Sequence, residues 1–332
     1  MHGKTINGYT LQSRLGVGGM AEVWLAKNRL GKTAAVKILL PVLCSDDNVT
    51  SRFMTEAKVM VMLDNHNIRQ VYDYGEIDGR PCIIMEYLEG DDLKSMMKNG
   101  RKFSDDQLIS WWNQLVDALN YTHAKGVVHR DIKPANIFVD NNGCIKLLDF
   151  GIAKVRESIS STGTGQKLGT LMYMSPEQVR DSKHVDYHTD YYSLAVTFVH
   201  LVSGQKPYDS DNSSDYDISV KIVTEPLDLS GLPEKWKNFL SPYLQKDAAQ
   251  RPALRHFEQR ETNQRRIIDP IDPPCGGPDG DIGGEKTKLW PNPGQEKQPN
   301  PPQQPEKYCD KCGTKLSPTA KFCKKCGKKV IR

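Results

Sequence analysis

The chain has 332 residues and a mass of 37.4 kDa, enough for one large domain or two modest ones with a real core, which excludes a small stapled scaffold. Hydrophobic residues are 38% and charged residues 26%, no apolar run approaches the roughly 18 residues of a spanning helix, and no charged-then-apolar leader opens the chain; the expectation is a cytoplasmic protein without a membrane span. The net charge of +4 is unevenly placed, because residues 307–332 carry nine Lys/Arg against one Asp and leave residues 1–306 at −4.

In chain order, short runs rich in β-branched and aromatic residues predict strands over 9–16, 21–29, 33–41, 70–76 and 81–89, broken by Gly, Asn and Asp. One helix interrupts them: residues 47–63 place Val49, Phe53, Ala57, Met60 and Val61 at close to helical spacing after an acidic start. From Ser104 the pattern turns helical. Ser-Asp-Asp-Gln at 104–107 is a capping-box signature, and Leu108, Trp111/Trp112, Leu115 and Leu119 repeat along one face until Gly126. A β-rich N-terminal lobe followed by a helical C-terminal lobe gives a cleft between the halves. From 261 to 306 the texture changes: ten of the 20 prolines and six glycines fall there, a composition that cannot bury enough apolar surface to offset its ordering entropy and reads as a disordered linker.

Leu15, Gly16, Val17, Gly18, Gly19, Met20, Ala21, Glu22 and Val23 form a Gly-rich segment between two predicted strands, where backbone can fold over a phosphate chain without side chains in the way. A dinucleotide fingerprint would need a helix after the glycines, and the GKT at Gly31–Thr33 has Ala26 where a Walker A loop needs its first glycine. Further on, in order, stand Ala-Val-Lys at 35–37, His-Arg-Asp-Ile-Lys-Pro-Ala-Asn at 129–136, Leu-Asp-Phe-Gly at 148–151 and Ser-Pro-Glu at 175–177. Five motifs in this order over residues 8–260 resemble the protein-kinase signature set, and Gly-Gly-Met-Ala-Glu-Val with Gly-Thr-Leu-Met-Tyr-Met-Ser-Pro-Glu-Gln resembles the bacterial Hanks-type Ser/Thr kinases.

The resemblance implies an α+β two-lobed kinase fold and a set of roles. Lys37 would hold the α and β phosphates of ATP and pair with Glu56. Asp131 would act as catalytic base toward a protein hydroxyl, and Lys133 would stabilise charge on the γ-phosphate. Asn136 and Asp149 would ligate Mg²⁺ or Mn²⁺ through oxygen. The adenine edge would meet the backbone of Glu86–Leu88, with Met85 behind it and Val23 and Ala35 as apolar walls. Glu177 would pair with Arg251, Asp190 would anchor the catalytic loop, and His129 would pack under Phe150. Lys133 and Thr170 look like a Ser/Thr kinase. Arg130 would need a counter-anion, for which phosphorylation of Thr162 or Thr164 is the expected source. Two departures from the family stand out. Ala21 replaces the third loop glycine, and the segment His66–Val71 is one residue short and places Arg69 where an apolar residue is common, which leaves the register of the fourth strand open.

At the C-terminus Tyr-Cys-Asp-Lys-Cys-Gly recurs as Phe-Cys-Lys-Lys-Cys-Gly, so that Cys309, Cys312, Cys323 and Cys326 stand as CxxC-x10-CxxC over residues 307–332. That spacing closes a tetrahedral four-thiolate site with no open position, a structural Zn²⁺ in a short zinc ribbon. Its expected task is docking to a partner, with the segment around Thr287 as a second docking element. The Lys/Arg residues from Lys311 to Arg332, with Tyr308 and Phe322, form the nucleic-acid alternative. Dimerisation is left open, and a kinase-shaped scaffold acting through the ribbon is the alternative to catalysis.

Overall fold

The computed structural model describes residues 1–151, 171–181 and 184–258, together with the backbone of 307–308 and 315–316. The chain divides into two units, Met1–Asp272 and Pro273–Arg332. The candidate phosphosites Thr162, Thr164 and Thr170, the expected linker 261–306 with Thr287, and Cys309, Cys312, Cys323 and Cys326 lie outside the described residues.

The first unit opens with a six-stranded antiparallel sheet: β1 (Thr5–Ile6), β2 (Tyr9–Val17), β3 (Ala21–Asn28), β4 (Thr33–Leu39), β5 (Val71–Ile77) and β6 (Arg80–Glu86), in the order β1-β2-β3-β4-β6-β5. The period of two along β4 sets its two faces. Ala34, Val36 and Ile38 join Leu11 and Ile84 on one side, while Ala35 and Leu39 join Phe53, Ala57 and Met60 on the other. Lys37 shares the parity of Ala35 and Leu39, so the strand that buries its neighbours also aims this cation at the helix side. That helix is α1 (Asp47–Val61), whose first turn is capped by the Asp46 carboxylate accepting from the N–H groups of Asn48 and Val49. Its buried stripe is Phe53, Glu56, Ala57 and Met60. A glutamate in that stripe demands a partner.

After the sheet the chain crosses through 87–89 into a three-stranded sheet, β7 (Gly90–Asp92), β8 (Ile137–Asp140) and β9 (Ile145–Leu147), in the order β7-β8-β9. Gly90 takes a φ of 142°, and a Cβ there would stand 2.1 Å from the carbonyl oxygen of Val139, so no side chain fits where the crossing meets β8. The helices follow: α2 (Leu93–Lys98), α3 (Asp105–Ala124), α4 (Pro176–Arg180), α5 (His188–Ser203), α6 (Asp215–Thr224) and α7 (Glu234–Leu240). The capping box expected at Ser104 and Gln107 is present. Leu108, Trp112, Leu115 and Leu119 of α3 pack into one core with Leu194, Phe198, Trp236 and Tyr243. Every strand and both helices expected before residue 126 are found, with no end shifted by more than three residues. Among the described residues no helix is long and apolar enough to cross a membrane.

In the second unit Lys307–Tyr308 pairs antiparallel with Lys315–Leu316, so a two-stranded ladder brackets the positions of Cys309 and Cys312 in the sequence.

Candidate active site

The cleft between the six-stranded sheet and the helical lobe gathers side chains from six separate segments. From β4, Lys37 donates a hydrogen bond to Asp149 Oδ2 at 2.7 Å, and its Nζ stands 3.9 Å from Glu56 Oε1 on α1. Burial works against the ammonium charge, but Asp149 and Glu56 outweigh it and the pKa of Lys37 is raised. At Asp149 enclosure by protein likewise opposes ionisation, yet Lys37, with help from Arg69 and His129, holds its pKa at about 2. The site therefore keeps a fixed carboxylate and a fixed ammonium side by side.

The loop between α3 and β8 carries the second group. Lys133 Nζ lies 3.0 Å from Asp131 Oδ2. Asn136 donates from Nδ2 to the backbone oxygen of Asp131 at 2.8 Å and to its Oδ2 at 2.6 Å. Lys133 also donates to Asp131 Oδ1 at 3.1 Å, so an amide and an ammonium of its own loop orient the Asp131 carboxylate. This loop holds an unfavourable backbone: Arg130 takes a φ of 67°, in the left-handed region that costs a residue with a Cβ about 1 kcal/mol or more. The fully buried Asp190 of α5 accepts the N–H groups of His129 and Arg130, both at 2.8 Å, and fixes that turn. His129 is fully buried, its ring 4.5 Å from that of Phe150, and burial lowers its pKa.

Two contacts tie the groups together. Leu148 N–H donates to the carbonyl of Asn136 at 2.9 Å, and Gly151 N–H donates to that of His129 at 2.8 Å. A Cβ on Gly151 would come within 3.0 Å of Asp131 Cβ and 3.3 Å of the His129 oxygen, so a side chain there would press the segment carrying Asp149 away from the loop carrying Asp131.

The Gly-rich turn behaves differently. A Cβ at Gly16 would meet nothing within 4 Å, and one at Gly18 would meet only the Ala21 oxygen at 3.7 Å. Neither residue has a positive φ, so the protein's own packing does not require glycine at either place. Gly19 lies in the same turn, and Leu15 and Val17 are 47% and 57% exposed beside it. At the base side, Met85 and Ala35 are buried, and Val23, Glu86 and Leu88 are partly exposed. Sequence reasoning did not find three contacts. Gln178 Nε2 donates to the Arg130 carbonyl at 2.8 Å, Lys146 Nζ stands 3.0 Å from Glu86 Oε1, and Arg69 Nε donates to the Glu86 carbonyl at 3.0 Å. For Arg69 the one-residue deletion was a signal; for the other two there was none.

The donor set fits a hard divalent cation. Among the described residues neither Asn136 Oδ1 nor Asp149 Oδ1 accepts a hydrogen bond, and Asp149 stays ionised. Outside the cleft, Arg251 donates to both carboxylate oxygens of Glu177, at 2.6 and 2.8 Å.

Residues 9–261 match the family model of the protein kinase domain, and residues 308–330 match that of the zinc-ribbon domain. The serine/threonine-protein kinase PknA of Mycobacterium tuberculosis is 38% identical over 231 residues, 68% of this chain and 53% of that protein. Serine/threonine-protein kinases drp72 of Corynebacterium efficiens is 33% identical over 249 residues, 73% of this chain and 48% of that one. The chain thus spans about half the length of these curated relatives. The crystal structure of the Mycobacterium tuberculosis PknI kinase domain is 30% identical and superposes with a TM-score of 0.59, covering 76% of this chain and 93% of that one. With a two-lobed fold, a cleft built from these motifs and a family match over most of its length, the chain belongs to the protein kinase family.

Proposed function

We propose that this chain is a Ser/Thr protein kinase that transfers the γ-phosphate of ATP to protein hydroxyls. The observation that carries the reading is the convergence of Lys37, Glu56 and Asp149 beside Asp131, Lys133 and Asn136 in one cleft, with the Lys37 ammonium and the Asp149 carboxylate holding each other charged. Lys37, pinned between two carboxylates, binds the α and β phosphates. Asp131 orients the substrate hydroxyl and accepts its proton, and its position is set by Asn136 and by the loop that Asp190 holds. Lys133 neutralises charge at the transferring phosphoryl group. Asn136 and Asp149 would hold Mg²⁺ or Mn²⁺, which supplies charge neutralisation at the phosphate oxygens. The hinge backbone at Glu86–Leu88 takes the base between Val23, Ala35 and Met85. Glycines at 16 and 18 that nothing in the protein requires are accounted for by backbone approaching phosphate.

Domain limits of 8–260 for the kinase, 261–306 for a linker and 307–332 for the ribbon follow from the same reading. Cys309, Cys312, Cys323 and Cys326 would hold a structural Zn²⁺, and the ribbon serves docking to a protein partner. Among the described residues no carboxylate pairs with the Arg130 guanidinium, whose one hydrogen bond goes to the Val185 carbonyl at 3.4 Å. A phosphate on Thr162 or Thr164 is the counter-anion that would satisfy it. The test is transfer of labelled γ-phosphate from ATP to a generic protein substrate, followed by phosphoamino-acid analysis. Phosphoserine and phosphothreonine are expected; phosphotyrosine alone, or no label, contradicts the reading.

A further inference from the structure

Arg69 sits at the rear of the cleft. Its neighbour Ile68 bridges to Leu147, and its own N–H donates to the Leu147 carbonyl at 2.9 Å, so the backbone there is pinned to the strand leading into Asp149. From this anchor the partly buried side chain crosses to the hinge, where Nε donates to the Glu86 carbonyl at 3.0 Å. The guanidinium is close enough to Asp149 and Glu86 for both carboxylates to favour its charge, and close enough to Lys37 to work against that ammonium. It therefore stands against the end of the hinge strand and within electrostatic reach of the Lys37–Asp149 pair. The inference rests on the nucleotide reading of this cleft given above.

Arginine has five N–H donors and no acceptor. One is used on Glu86, and among the described residues neither Nη makes a hydrogen bond. The Glu86 carbonyl is the first acceptor of the hinge edge, the group that would receive the 6-amino donor of adenine. With Arg69 in place one lone pair of that oxygen is engaged and the other stays open to a 6-amino group, while the free Nη groups of Arg69 are donors only. A 6-amino group gains nothing from those donors, whereas a 6-oxo group with N7 offers the acceptor pair that a guanidinium engages in bidentate fashion. We propose that Arg69 reads the 6-position of the purine and admits 6-oxopurine nucleotides, GTP among them, as ligands of this cleft.

The test is the dissociation constants of ATP and GTP, as non-hydrolysable analogues with Mg²⁺, for the full chain, Arg69→Val and Arg69→Gln, by calorimetry. For the wild type, GTP is expected to bind within about tenfold of ATP. Both variants should shift the ratio toward ATP by about tenfold or more, the discrimination that one bidentate Arg–purine contact supplies. Arg69→Gln serves where Arg69→Val fails to fold, because its amide still donates to Glu86 while offering the adenine amino group an acceptor. ATP binding with an ATP-to-GTP ratio that neither variant moves overturns this inference alone. Binding of neither nucleotide to the wild type overturns the nucleotide reading and this inference with it.

Discussion

Lys37 and Asp149 carry the charge balance of the cleft, and their linkage to pH has two limbs of opposite sign. Asp149 has its pKa lowered from 3.8 to about 2, so its contribution to stability is fully present above the unfolded value and is lost as pH falls through the folded one. Lys37 has its pKa raised above 10.5, so its contribution is fully present below 10.5 and is lost as pH rises through the folded value. Between roughly pH 5 and 9 both are constant, a plateau that follows from the linkage relation. Thermal unfolding against pH should show wild type losing stability between pH 4 and 2 more steeply than Asp149→Asn. Parallel acid limbs for the two proteins would mean that the pair does not act as described. These residues were legible from motif spacing, because a strand lysine, a loop aspartate and a loop asparagine each keep a fixed local frame. Arg69 was visible only as a deviation. Its partner is a carbonyl 17 positions away, and the register of β5 on β6 shifts between Val71 and Asp73, just beyond it.

At the scale of elements, short polar links hold helices and loops in register around the catalytic loop. Asp190 joins α5 to that loop through two backbone N–H groups, and His123 Nε2 of α3 lies 2.8 Å from the same carboxylate. Gln178 of α4 reaches the Arg130 carbonyl from another side. Glu177 and Arg251 fasten α4 to the end of the lobe, and the arginine side chain is fully buried. A buried guanidinium left without its carboxylate is costly, so Glu177→Ala should destabilise the protein by about 3 kcal/mol. Denaturant unfolding measures this, and a change below about 1 kcal/mol would class the pair with weak surface bridges. The sequence showed the helices plainly, since α3 has its capping box and apolar face written in consecutive residues. It showed the Glu177–Arg251 pair only through resemblance, because the two residues lie 74 positions apart. The contact of Lys146 with Glu86, which joins β9 to the hinge strand, had no local signature at all.

At the scale of the molecule, the chain pairs a kinase unit with a second, smaller unit whose sequence is poor in apolar residues. Two short strands bracket the first cysteine pair in the sequence, and in the proposed zinc ribbon a unit of this size would take most of its folding free energy from its metal. Elemental analysis of purified protein should find close to one zinc per chain, and Cys323→Ser should remove it while leaving the main thermal transition of the kinase unit in place. Zinc retained by Cys323→Ser would contradict a four-cysteine site. The proline- and glycine-rich stretch 261–306 separates two textures in the sequence, and the boundary between the two units, after Asp272, falls within it.

The most direct test of phosphotransfer is phosphosite mapping by mass spectrometry of the full chain after incubation with Mg-ATP, beside Asp131→Asn. The account predicts phosphate on Thr162 or Thr164 in the wild type, and at least a hundredfold less in Asp131→Asn, the span general-base catalysis contributes. Equal phosphate on the two proteins, or none on either despite bound ATP, would contradict it.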